Sequence, residues 1–147
     1  MNPFWIALTI VFAGGIALGL QAPVNSSLSR TIGDSVSATL VSFGVGFLAL
    51  ALLAAARDSF PGFGAFRTIR PWMLAGGLLG AFYVWSALWG VSRLGVVTMA
   101  ATLIVGQMLV ALLVDRFGAF GLPVQEISWQ RLVAVLLVGS GLVMSRL

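Results

Sequence analysis

Polar and apolar positions along this 147-residue chain follow neither the alternation of a strand nor the stripe of an amphipathic helix; they separate into long blocks. Five apolar runs, Phe4–Ser29, Val36–Ala56, Trp72–Ser92, Leu94–Val114 and Leu132–Ser145, contain no charged residue at all. The eight arginines and four acids lie at the edges of these runs or between them. A helix of roughly 20 apolar residues crosses the roughly 30 Å hydrocarbon core of a bilayer. The pattern therefore predicts an all-α membrane protein, a single domain over 1–147, with five transmembrane helices at about 4–29, 35–56, 71–92, 94–115 and 128–146. The fifth is the shortest: the fourteen residues between Arg131 and Arg146 rise only about 21 Å, so both arginines must snorkel outward for it to span.

Composition agrees with this reading. Hydrophobic residues make up 60% of the chain and charged residues 8%, against roughly 45–50% and roughly 25% in a soluble domain. A net charge of +4 would point to nucleic acid in a soluble protein; here it comes from arginines flanking helices, where they meet lipid headgroups, and no nucleic-acid partner is expected. Neither cysteine nor histidine is present, which removes disulfides, thiolate and imidazole chemistry and most transition-metal sites. No metal or other cofactor is expected. The start, Met1-Asn2-Pro3-Phe4-Trp5, lacks the basic residue of a signal peptide, and the run behind it is too long for one, so it reads as a retained first helix. Arg57, Arg67, Arg70, Arg116 and Arg131 fall on the side of the N-terminus and Arg30, Arg93 and Arg146 on the other. That bias places the N-terminus in the cytoplasm and is small enough to allow dual topology.

Polar residues inside the apolar runs are the candidates for function, because amides facing lipid are unfavourable. Gln21 and Asn25 are four apart and share a face of the first helix, on either side of Pro23, which removes a backbone donor and obstructs the carbonyl of Gly19. The last turns of that helix are expected to kink or unwind there, with Gly19 and Pro23 forming a helix break. Two readings stay open: a solute-facing stripe beside a broken helix, as in many transporters, or amides that simply bond a neighbouring helix. Tyr83 and Trp85 on the third helix could line a pocket for an apolar or cationic solute. Thr102 and Gln107 add polarity to the fourth, where a lone amide serves as readily for helix association. Asp115 is the acid continuous with a helical run and the candidate for proton coupling; alternatively it forms an interfacial ion pair with Arg116.

Gln21-Ala22-Pro23-Val24-Asn25, the segment Gly76-Gly77-Leu78-Leu79-Gly80-Ala81-Phe82-Tyr83-Val84, Gly106-Gln107 and Asp115-Arg116-Phe117-Gly118 together resemble the YdcZ-like branch of the drug/metabolite transporter superfamily. The likeness covers essentially the whole chain. It implies a half-length transporter, one inverted repeat of a ten-helix protein, whose central cavity is lined mainly by helices 1, 3 and 4 and which pairs with a second copy or a similar five-helix chain.

The helix count leads to the same expectation. Duplicating a five-helix unit inverts the second copy, and inverted repeats around a mid-membrane site are a common transporter plan. The expected function is thus a secondary transporter subunit, in the inner membrane, moving a small solute by alternating access as a homodimer, antiparallel if dual insertion occurs, or as a heterodimer. Gln21, Asn25, Tyr83, Trp85, Thr102 and Gln107 would bind the solute. A small dimeric ion channel and a non-transporting subunit of a heteromeric transporter are the alternatives. An enzyme is not expected: no nucleophile–base pair is available and the acids are scattered.

Overall fold

The computed structural model describes residues 2–145, the side chain of Phe63 excepted, and among these residues all regular secondary structure is helical, with no strand. The elements are α1 (Pro3–Ile32), α2 (Ser35–Ala56), a one-turn α3 (Phe63–Phe66), a 3-10 turn (Pro71–Leu74) leading into α4 (Ala75–Leu94), α5 (Val96–Phe117), a second 3-10 turn (Ala119–Gly121) and α6 (Trp129–Met144). Four stretches are long and apolar enough to cross a membrane: Pro3–Ile32, Ser35–Ala56, Pro71–Leu94 and Val96–Phe117. Trp129–Met144 is a shorter apolar helix of 16 residues, rising about 24 Å. The Arg146 anchor expected at its far end lies outside the described residues.

Local chemistry sets the helix ends. Asn2 accepts the Phe4 N–H at 3.0 Å and Pro3 occupies the first turn, where its missing donor costs nothing. Gly33 closes α1 in the left-handed region, φ 88°, returning its N–H to the Ser29 carbonyl. Asp34 then caps α2, its carboxylate accepting the Ser37 N–H at 2.6 Å. A single residue, Gly95, joins α4 to α5 at φ 79° and ψ 164°, a conformation that side chains with a Cβ rarely adopt.

The Asp34 cap carries a consequence for pH. The Ser37 backbone N–H holds this exposed carboxyl below the usual carboxylate range, with the Ser37 hydroxyl adding to the effect. A depressed folded-state pKa contributes stability above the unfolded value and loses it as pH falls through the folded one. Thermal melts of the wild type are therefore expected to lose an increment below about pH 4. Asp34→Asn, which keeps a capping oxygen but does not titrate, should remove that increment; parallel pH profiles for the two proteins would contradict the assignment.

The chain forms two compact units, Met1–Trp89 and Gly90–Leu147. In the first, α1 and α2 make a helical hairpin whose covered positions cluster near its turn: Ala22, Asn25 and Ser26 on α1, Ala38 and Thr39 on α2. Ala38 is fully buried and lets the two backbones approach. On α4, Val84, Ala87 and Leu88 are buried. By contrast every residue from Phe4 to Leu20 is exposed, a length of about 25 Å that a bilayer and not water must cover. In the second unit α5 packs along α6 with opposite direction, Thr98 meeting Ser145 at one end and Asp115 meeting Arg131 at the other.

α1 corrects one expectation. The helix does not unwind at Pro23: it continues as helix to Ile32, more than two turns further. A proline in a membrane helix costs one backbone bond yet leaves no water to reward unwinding, so helix remains the least unfavourable backbone conformation on both sides. Gly19 and Pro23 are thus positions within a continuous helix.

Candidate functional site

The polar residues of α1 lie in its last third. Gln21 is half-buried, Asn25 is 5% exposed, and Ser26 beside it is equally covered. Among the described residues, the Asn25 Nδ2 is the buried side-chain nitrogen or oxygen that finds no hydrogen-bond partner. Such a donor raises the energy of the fold by about 1–3 kcal/mol relative to a satisfied one. Arg30, one turn beyond Ser26, folds back along the helix and donates to the Ser26 Oγ at 3.5 Å. Gln21 to Arg30 spans about 14 Å along the axis, so this polar strip occupies one end of the helix and not its centre.

In the same unit, Tyr83 and Trp85 on α4 are half-buried. Trp85 sits between Phe82, at 5.9 Å between ring centroids, and Trp89, stacked at 6.4 Å. An open apolar groove of about 450 Å³ runs between α2 and α4, lined by Val36, Thr39, Leu40 and Phe43 on one side and Ala81, Phe82 and Trp85 on the other. Its Phe43 ring lies 3.8 Å from where a Cβ on Gly80 would stand, an ordinary van der Waals distance. The α2 side of this groove is not among the site residues expected from the sequence. The spacing of Thr39 and Phe43, four apart on one helical face, was the available signal. Tyr83, Gln21 and Asn25 do not line it.

In the second unit, Thr102 is exposed and its hydroxyl donates to the Thr98 carbonyl at 2.7 Å, so that donor serves its own helix. Gln107 is exposed on α5. The buried hydroxyl is instead that of Thr98; since Ser145 Oγ donates to the Leu142 carbonyl, Thr98 donates to Ser145, at 3.2 Å. Asp115 does not pair with Arg116. Its carboxylate accepts from Arg131 Nη1 at 2.8 Å, while Arg131 Nη2 donates to the Gln125 carbonyl oxygen Oε1 and the Gln125 N–H reaches the Asp115 carbonyl at 2.8 Å. Consecutive residues on a helix diverge by about 100°, which turns Arg116 away from its neighbour's carboxylate. No group of three or more potential metal ligands occurs among the described residues.

These features belong to a lipid-embedded chain with a few polar groups set among its helices, and comparison with known proteins places it. No solved structure matches. The Inner membrane protein YdcZ of Escherichia coli (strain K12) is 29% identical over 143 residues, covering 96% of each chain. The family profile described as "Putative inner membrane exporter, YdcZ" matches residues 6–144. The helices long enough to span, the uncovered apolar surface and a match over nearly the full length make this chain a multi-pass inner-membrane protein and a member of the YdcZ family.

Proposed function

We propose that the protein is a subunit of a secondary transporter that moves a small solute across the inner membrane by alternating access, working as a pair of five-span chains. The observation that carries this reading is the Asn25 carboxamide, buried in a membrane helix with its Nδ2 unpartnered. A donor of that kind is tolerated where a ligand or a second conformation satisfies it. Gln21, one turn away, shares its face and extends the site; Tyr83, Trp85, Thr102 and Gln107 are the further candidates.

Two facts support pairing. The E. coli relative is matched over 96% of its own length, so it too is a short chain and not a ten-helix protein. Gln107, an amide in a membrane helix, is exposed on α5. Such an amide is best accommodated against another helix or a wet path. The family description supports transport, and outward transport in particular, over an enzymatic role. The Asp115 carboxylate is engaged by Arg131, which favours a role in holding the loop over proton coupling.

Purified protein in liposomes decides between carrier and pore. A carrier exchanges solute in saturable counterflow, and Asn25→Leu should lower that exchange by at least about tenfold if one hydrogen bond to the solute is lost. Conductance rising in proportion to concentration would make it a channel. No flux by the chain alone, with flux restored by a second five-span chain, would make it one subunit of a heteromer.

A further inference from the structure

We infer that the solute carries a carboxylate, or an oxyanion of similar reach, and that Asn25 and Arg30 recognise it; this rests on the transport reading and names its substrate class. The donors are there and the acceptors are not. Asn25 Nδ2 is buried and lacks an acceptor. Arg30 bends back along the helix to Ser26 Oγ, at 3.5 Å, on the residue next to Asn25. Among the described residues Arg30 has no carboxylate partner, the ion pair present being that of Arg131 with Asp115. The acids of the first unit are elsewhere engaged or remote in sequence: Asp34 caps α2, and Asp58 follows the end of that helix.

Chemistry then selects the ligand. A carboxamide nitrogen and a guanidinium both donate and neither accepts, so together they complement an oxygen-rich anion. An ammonium group would face the Arg30 guanidinium at close range, with Asp34, the nearest acid in sequence, already engaged as the cap of α2. The desolvation of Asn25 has already been incurred in folding, so an acceptor arriving there gains more than it would on an exposed amide. The first seventeen residues of the α1 span are apolar apart from Thr9 and three glycines, which leaves the strip from Gln21 to Arg30 as the part of that helix able to hold a polar headgroup. A lipid phosphate offers the same oxyanion chemistry, and the test separates the two sources.

The protein in phosphatidylcholine nanodiscs would be screened by thermal shift against benzoate, benzamide and benzylamine, then against metabolites sorted into oxyanions, neutral compounds and ammonium compounds. Oxyanions are expected to stabilise it, with affinity about tenfold weaker in both Asn25→Leu and Arg30→Gln, and with both variants still cooperatively folded. A panel without a stabilising oxyanion, stabilisation mainly by ammonium compounds, or unchanged oxyanion affinity in both variants would overturn the inference. So would an Arg30→Gln effect seen only after phosphatidylglycerol is added, which would assign the guanidinium to lipid. Saturable counterflow of a cation would sink the carboxylate while leaving the transporter standing. Oxyanion binding without flux would do the reverse.

Discussion

Asn25→Leu should make the protein more stable and at the same time lower its exchange of solute by at least about tenfold. Most core substitutions destabilise, so a gain at a nine-tenths-buried position is a diagnostic result. It follows from the unpaired Nδ2. Leucine has the branched shape of asparagine, with two bulkier methyl groups in place of the oxygen and nitrogen, so the substitution removes a buried orphan of about 1–3 kcal/mol and adds apolar contact with the surrounding helices. Overpacking offsets part of this, and a net gain of about 1 kcal/mol, or a few degrees in Tm, is the expected reading. Asn25→Ala separates the terms, because it removes the orphan but leaves a void; it should be near neutral. A marked loss of stability in both variants would mean that the amide is satisfied in the folded protein, and that it holds helices together instead of binding solute. Stability gained as function is lost is the signature of a group kept for its ligand.

The helices and the contacts between them differ in how far the sequence alone discloses them. Apolar runs became helices because, in lipid, a backbone has almost no other way to satisfy its own polar groups, so length and hydrophobicity are nearly sufficient. The four spanning helices follow from that alone, and three of them, α1, α4 and α5, end at a glycine while α2 ends at Arg57. Gln21 and Asn25 stood out for the same reason, as amides where amides are costly. Pro23 misled because the rule that proline ends helices assumes water ready to hydrate the freed carbonyl; α1 passes through it. Asp115 misled differently. Its partner is sixteen residues away, reached only because the chain from Gly118 to Ser128 folds back, and no local pattern encodes that return. The groove between α2 and α4 was hidden because Phe43 and Gly80 are each unremarkable alone and meaningful only as a contact.

That returning loop sets up the second large effect. Gly118 ends α5 at φ 58°, and a Cβ there would lie 2.7 Å from Val124 Cγ2 and 2.9 Å from the Leu122 carbonyl oxygen. The chain can turn this tightly only at glycine. Once turned, it presents Gln125 to the end of α5, and Arg131, in the first turn of α6, bridges Asp115 and Gln125 with the two arms of one guanidinium. The Asp115 carboxylate sits at a helix C-terminus, where the dipole opposes it, so it depends on that arginine. Arg131→Ala leaves the carboxylate and the Gln125 oxygen unpaired at the edge of the membrane. Both side chains of the ion pair are about one-third exposed, which screens part of the loss, so the expected cost is about 2 kcal/mol and not the larger value of a fully buried pair. Arg131→Lys, with one point charge and no fork, should recover roughly half of it. Arg116→Ala should change stability by no more than about 0.5 kcal/mol, since Arg116 is exposed and turned away. Melting curves of the three variants in one detergent measure the order directly. If Arg116→Ala proves the costlier change, the carboxylate pairs with its neighbour in the membrane and the loop is held by other means. If Arg131→Ala is the costlier, the strap between α5 and α6 is what fixes the geometry of this half of the chain.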